Sequence, residues 1–206
     1  MAVRGCLGIV FVEGNIGVGK TTLLRGLLNR RPNILVIEEP THIWLGEHSI
    51  RGLEDKNLLK LFYEKTISPY AFQEFIREST QAWYRKKWDQ WNINHQTPPE
   101  FILIERSPAA SYFVFCPEVL TPDELAIYGW ARNLQGSESS VSFPTKRQNI
   151  IYLAATTKTL RERIVKRNRA EEVAHVTSEY LERLEKRYAN FIGDQRKEGE
   201  KLILEL

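Results

Sequence analysis

Gly14-Asn15-Ile16-Gly17-Val18-Gly19-Lys20-Thr21, followed by Thr22, meets the spacing G-x4-G-K-[ST]. A glycine-rich turn of this kind lets backbone N–H groups wrap a phosphate at a helix N-terminus. Lys20 can then reach the outer phosphates of a nucleoside triphosphate, and the Thr21 hydroxyl can ligate Mg2+. The pattern stands between a strand-like run and a helical one, the context that separates it from a chance glycine turn. Ile34–Ile37 ends in Glu38-Glu39-Pro40. Pro40 restrains Glu39 to extended backbone, and strand alternation sends the two carboxylates to opposite sides, so one of them faces the site. A glutamate there can accept the proton of an attacking hydroxyl; the plainer reading is a solvated acidic strand end. A later apolar run ends in Glu105-Arg106-Ser107. Its acid can hold Mg2+ and its arginine can meet phosphate oxygens, although an isolated Glu-Arg pair is more often a surface ion pair. Arg161, Arg163, Lys166, Arg167 and Arg169 crowd together just before Glu171-Glu172. Such a run is ordinarily a solvated helix face, but a mobile flap carrying cations over a transferring phosphoryl group would use it directly.

These groups need elements to position them. Strand-like runs fall at Leu7–Val12, Ile34–Ile37, Phe101–Ile104, Ile150–Leu153 and Leu202–Leu204. Helical patterns fall at Lys20–Leu28, Asn57–Thr66, Tyr70–Trp91, Pro122–Asn133, Lys158–Asn168 and Ser178–Phe191. In the longest helix Phe72, Phe75, Ile76 and Trp83 share one face of a 3.6-residue period. Near-continuous apolar strands separated by helices imply a parallel sheet covered on both faces. Ligands collect outside the C-terminal strand ends of such a sheet, where the phosphate loop, Glu39 and Glu105 all lie. The expected fold is therefore α/β. It is a single P-loop NTPase domain over residues 1–206, with a five-stranded parallel sheet flanked by helices, a phosphate loop at 14–21 and a basic lid segment at about 161–172. Gln135–Ser142 reads as an exposed loop.

Composition narrows the class. The 206 residues are 42% apolar and 27% charged with a net charge of +3, too small an excess to advertise nucleic acid or an anionic membrane. Ile9–Val12 is far shorter than a transmembrane helix, and no leader pattern precedes it. Cys6 and Cys116 are the two thiols, without zinc-site spacing, so a reducing, cytosol-like compartment is expected. The four histidines stand singly and read as surface or locally bonded side chains. Trp83-Tyr84-Arg85-Lys86-Lys87-Trp88 interleaves aromatic and basic residues, as single-strand binders do, but the helical period gives a plainer account.

With these pieces in order, the chain resembles the deoxyribonucleoside kinase family, which includes the herpesviral thymidine kinases, from about Leu7 to Tyr188. The blocks that carry the likeness are Glu13–Thr22, Glu39-Pro40 with Trp44, Tyr63 with Phe72-Gln73, Glu105-Arg106-Ser107, and the lid from Arg163 to Glu172. The resemblance implies an ATP- and Mg2+-dependent transfer to the 5′-hydroxyl of a small-molecule deoxynucleoside. In it Glu39 is the general base and Gln73 reads the base, which Phe72 and Phe115 sandwich beside Trp44. Tyr63 and Glu172 hold the sugar 3′-hydroxyl. Glu105 is the magnesium-side acid, Arg106 stands beside the transferring phosphate, and Arg163, Arg167 and Arg169 surround the donor. Where relatives that take deoxycytidine or purines carry an Arg and an Asp, this chain has Thr80 and Ser111, which favours thymidine. Pro108-Ala109-Ala110 is similar to a herpesviral segment, whereas the Glu-Arg-Ser lettering is cellular, so both branches stay open.

The resemblance also implies a homodimer built from helix faces, for which the tryptophan-rich stretch 83–91 offers spare apolar surface, and a cytoplasmic enzyme (host cytoplasm if viral) with no nucleic-acid or membrane partner. Two alternatives accompany it. A thymidylate kinase would need a cation for the entering monophosphate, for which Arg77 or Arg106 could serve. A nucleotide-gated binding protein would need no aromatic-Gln cleft.

Overall fold

A computed structural model of the chain describes residues 8–47, 56–135, 148–197 and 202–206, leaving aside the side chains of 133–135. Five strands, β1 (Gly8–Gly14), β2 (Ile34–Ile37), β3 (Phe101–Glu105), β4 (Gln148–Leu153) and β5 (Ile203–Glu205), form one sheet in the order β2-β3-β1-β4-β5. Every neighbouring pair is parallel. β1 is the central strand, and its alternation explains why both sheet faces are dry. Ile9 and Phe11 join Leu35, Ile37, Ile102 and Ile104 on one face, under Tyr84 and Trp91. Val12 joins Leu103 on the other, under Leu24 of α1 (Lys20–Leu28).

The remaining helices follow in chain order. They are α2 (Thr41–Trp44), α3 (Leu58–Tyr63), α4 (Pro69–Asn94), α5 (Pro108–Ala110), a π-helical turn (Ser111–Phe115), α6 (Cys116–Val119), α7 (Pro122–Gln135), α8 (Thr157–Arg167), α9 (Ala170–His175) and α10 (Ser178–Lys197). All the expected strands and long helices are present, with ends displaced by a few residues. Cys6, His48 and most of the expected loop after Gln135 lie outside the described residues. No described helix is long and apolar enough to cross a membrane.

The long helix departs from its predicted face. Its buried residues are Phe72, Gln73, Arg77, Tyr84 and Trp91, while Phe75, Ile76 and Trp83 are only partly covered. Polar residues are buried in its first half because that half borders the ligand cleft rather than the core. The Trp83 indole donates to the Glu38 carbonyl at 3.1 Å, and the Lys86 and Lys87 ammonium groups sit 5.3 and 4.5 Å from its ring centre. A ring already covered by two cations is no open platform for stacking bases. Trp91 is buried as well, so the stretch 83–91 lacks the spare apolar surface assigned to it. Large apolar side chains are exposed instead on α7, at Ile127 and Trp130, and in the π-turn, at Phe113.

Candidate active site

The phosphate loop joins β1 to α1. Gly14, Gly17 and Gly19 all have positive φ. A Cβ at Gly14 would stand 2.5 Å from the Leu153 carbonyl of β4, so the first glycine is dictated by close strand packing. Asn15 is buried under the loop, where its amide donates to the Leu181 carbonyl (2.9 Å) and its carbonyl accepts from Ile16 N–H (2.8 Å). Gly14 and Asn15 therefore shape the loop from beneath, while Ile16, Gly17, Val18, Gly19, Lys20, Thr21 and Thr22 line a cleft of about 1160 Å3.

The Lys20 ammonium folds over the loop and donates to the Gly14 and Asn15 carbonyls at 3.0 and 3.1 Å. Burial, reinforced by the nearby Arg106 guanidinium, lowers its pKa to about 8. The Thr21 hydroxyl lies 2.9 and 3.0 Å from the two Glu105 oxygens. Burial and the neighbouring Glu39 carboxylate raise the pKa of Glu105. Two crowded carboxylates beside a hydroxyl fit a hard divalent cation, which would relieve their repulsion. Among the described residues no three His, Cys, Asp or Glu groups cluster as a self-sufficient metal cage. Mg2+ normally takes one or two protein ligands and completes its shell with phosphate oxygens and water.

Glu38 and Glu39 both line the cleft, where strand alternation predicts one of them, because β2 ends at Ile37 and its alternation does not extend to them; they differ in their partners. Glu38 forms a two-point ion pair with Arg25, at 2.8 and 2.7 Å. Glu39 pairs with Arg106 instead, with Oε1 3.0 Å from its Nε, and the Glu39 backbone N–H donates to Glu105 Oε2 at 3.3 Å. The N–H of that Nε is not aligned for a hydrogen bond, so the contact is an ion pair of charge rather than direction. The Arg106 guanidinium also stacks 4.0 Å above the centre of the Phe115 ring. Glu39, Glu105, Arg106 and Lys20 thus converge at the C-terminal ends of β1, β2 and β3.

The far part of the cleft is aromatic. Phe72 stacks on Phe62 of α3 at 4.4 Å, and Trp44 donates its indole N–H to Ser79 Oγ at 3.0 Å. Gln73 is buried, with its Oε1 accepting from the Cys116 thiol at 3.5 Å. Burial raises that thiol to about 12, which keeps it a donor to the amide oxygen. A side recess of about 50 Å3 opens next to Glu39 and Arg106 and is lined by both Thr80 and Ser111. Ser111 faces the main cleft too.

The expected lid segment, about 161–172, falls on a helix pair, α8 and α9, joined through Asn168 in the left-handed conformation. Its cations divide by role. Arg161 staples α8 to the end of α9 through the Val173 and Val176 carbonyls, both at 2.9 Å, and does not line the cleft. Arg163, Lys166, Arg167 and Arg169 do line it. Arg163 donates to the Val18 carbonyl of the phosphate loop at 2.7 Å. Glu172, buried, pairs with Arg167 and with Arg169, the latter at 3.1 Å. Tyr63 stacks on His175 at 5.2 Å, which brings α3 against the lid and Tyr63 to the same cleft as Glu172. The site residues expected from the sequence line the cleft, apart from Gly14 and Asn15 beneath the loop, Arg161 between α8 and α9, and Thr80 in the side recess.

Three further residues border these cavities. His42 lines the cleft from α2, and Arg77 and Arg132 enter the recess. Arg77 is ion-paired with Glu74 and, at 3.0 Å, with Glu78, while Arg132 lies over the Tyr112 ring. His42 and Arg132 carry no local signal in the sequence, being a lone histidine and a lone helix cation.

Residues 10–205 match the family model described as Deoxynucleoside kinase. The chain belongs to the deoxynucleoside kinase family. The kinase is 30% identical over 205 residues to deoxycytidine kinase 2 of Gallus gallus, a match covering 90% of this chain and 74% of that protein. It is 29% identical over 190 residues to the thymidine kinase of Ictalurid herpesvirus 1 (strain Auburn), covering 90% and 75%. Human deoxycytidine kinase is 26% identical over 207 residues, covering 89% and 74%. The kinase is thus similar to relatives named for two different nucleosides.

Proposed function

We propose that the kinase transfers the γ-phosphate of ATP to the 5′-hydroxyl of a pyrimidine deoxynucleoside, with thymidine the preferred acceptor. The observation that carries the choice of acceptor is the recess beside Glu39, which Thr80 and Ser111 both line. Neither offers the charge that would pair with an exocyclic amine, and the space beside them accommodates a 5-methyl group. The three guanidiniums that line it are occupied, Arg77 by carboxylates, Arg106 by Glu39 and the Phe115 ring, and Arg132 by an aromatic ring.

In this reading Gln73 faces the base edge between Phe72 and Phe115, with Trp44 closing the pocket, and Tyr63 and Glu172 take the 3′-hydroxyl. Glu39 accepts the 5′-hydroxyl proton while Arg106 holds its carboxylate and faces the transferring group. Mg2+, held through Thr21 and Glu105, neutralises phosphate charge when bound. Lys20, Arg163, Arg167 and Arg169 supply further positive charge as the lid closes and excludes water. Phosphoryl transfer needs this positioning and neutralisation more than it needs covalent chemistry from the protein. The buried free thiol of Cys116 is in keeping with a cytoplasmic enzyme.

Of the two cations a thymidylate kinase could use, Arg77 is flanked by Glu74 and Glu78, which would repel an entering monophosphate, and Arg106 is paired with Glu39, so neither favours that reading over the nucleoside. The test is phosphoryl transfer from Mg-ATP to thymidine, deoxycytidine, deoxyguanosine, deoxyadenosine and thymidine monophosphate. Thymidine should show the highest kcat/KM. A preference for deoxycytidine or a purine would overturn the role given to Thr80 and Ser111, and activity on the monophosphate alone would overturn the acceptor class.

A further inference from the structure

Glu105 and Arg106 are consecutive, yet both side chains enter the same cleft. In an extended strand they would point to opposite faces. The alternation is broken at Arg106 itself, whose φ of 63° places it in the left-handed region. Among the described residues it is the non-glycine residue of the cleft in that conformation. A bulky side chain adopts this backbone reluctantly, and the conformation persists only where its surroundings enforce it.

The enforcing contacts can be named. Arg106 N–H donates to the Val12 carbonyl of β1 at 3.0 Å. The Arg106 carbonyl accepts from the Tyr84 hydroxyl of α4 at 3.2 Å. The next amide, Ser107 N–H, donates to Glu13 Oε1 at 2.8 Å, and the Ser107 hydroxyl caps α5 at Ala110 N–H (3.0 Å). Both backbone polar groups of Arg106 and the amide that follows are therefore pinned, from β1 on one side and α4 on the other. Two of the pins are side chains. Tyr84 and Glu13 are both buried, and burial raises both pKa values, which keeps the phenol a donor.

We propose that Tyr84 and Glu13 are positioning residues for Arg106, holding its left-handed backbone so that the guanidinium and the Glu105 carboxylate face the same ligand. Neither lies at the reacting atoms by this account; both act through Arg106. Losing the Tyr84 hydroxyl leaves the Arg106 carbonyl buried without that donor and allows the turn to relax toward strand geometry, swinging the guanidinium away from Glu39. The effect falls on the chemical step rather than on nucleoside or ATP capture. The inference rests on the role of Arg106 proposed above.

The experiment is a double-mutant cycle of Tyr84→Phe and Arg106→Ala, assayed with Mg-ATP and whichever of thymidine or deoxycytidine turns over faster. Tyr84→Phe alone should lower kcat about tenfold with both KM values within about twofold. In the Arg106→Ala background it should lower kcat no further, because the group it positions is gone. Glu13→Gln keeps a carbonyl acceptor for Ser107 N–H and should retain most of the turnover that Glu13→Ala loses. A Tyr84→Phe factor of equal size in both backgrounds, or unchanged kcat in the single variant, overturns the proposal. Full turnover in Arg106→Ala would overturn this proposal together with the role of Arg106. Thermal midpoints of all variants separate a folding defect, which would lower active-enzyme yield in both backgrounds alike, from a positioning effect confined to one.

Discussion

Lys20 combines burial, a lowered pKa of about 8 and two backbone acceptors within 3.1 Å. Its cationic form is the one that meets phosphate, so capture of ATP by the nucleoside-bound enzyme should weaken as pH rises and the amine loses its proton. We expect kcat/KM for Mg-ATP, at saturating nucleoside, to fall through an apparent pKa near 8. An ordinary lysine would hold its charge to about pH 10. Lys20→Arg, though slower overall, should lose this alkaline limb, since guanidinium stays charged beyond about pH 12. A wild-type profile flat to about pH 9.5 would show that Lys20 keeps an ordinary pKa in the working enzyme. The other residues of the cleft are similarly pre-committed to partners: Glu172 to two lid arginines, Glu39 to Arg106, Gln73 to the Cys116 thiol. Ligand binding at this scale is an exchange of partners rather than the filling of free valences.

At the scale of elements, the phosphate loop depends on how closely β1 approaches β4. Gly14→Ala places a methyl group 2.5 Å from the Leu153 carbonyl at a φ of 138°, and should destabilise the fold by about 2 kcal/mol or more while impairing ATP binding. Gly193→Ala is the opposite case, in helix α10 with nothing within 4 Å of the added carbon. It should stabilise by about 0.5–1 kcal/mol, raising the thermal midpoint by roughly 2 °C. Calorimetry that ranks the two variants the other way would contradict this packing. The elements legible in the sequence were those with a long signal, namely apolar strand runs and amphipathic helices of several turns. Helices α2, α5, α6 and α9 and the π-turn span three to six residues each. That is too short for a 3.6-residue period to show. The site residues were nonetheless legible, because strand ends and motif spacing fix Lys20, Thr21, Glu39 and Glu105 without knowledge of the loops. What the sequence hid is relational. Arg161 is indistinguishable from Arg163 in a basic run, yet one staples the lid and the other faces the phosphate loop. The inward face of α4 was hidden for the same reason, since its buried Gln73 and Arg77 border a cleft and break the apolar stripe.

For the whole molecule, the exposed apolar surface of α7 has the spacing of one helix face, with Ile127 and Trp130 57% and 65% accessible. We expect the kinase to pair through this face as a homodimer, and Trp130→Glu to shift it to monomer in sedimentation at micromolar concentration. A wild-type chain that sediments as a monomer at all concentrations would remove that face as an interface. Within each protomer, one parallel sheet gathers a phosphate loop, two strand-end acids and a basic lid around a single cleft, and the account stands on how those parts divide the work. The most direct test is the initial rate of thymidine 5′-monophosphate formation at saturating Mg-ATP, compared between the wild-type chain and Glu39→Gln. The account predicts robust turnover in the first and a loss of about 100-fold or more in the second, with binding of both substrates largely kept. Equal rates in the two enzymes, or no 5′-monophosphate from the wild type, would contradict it.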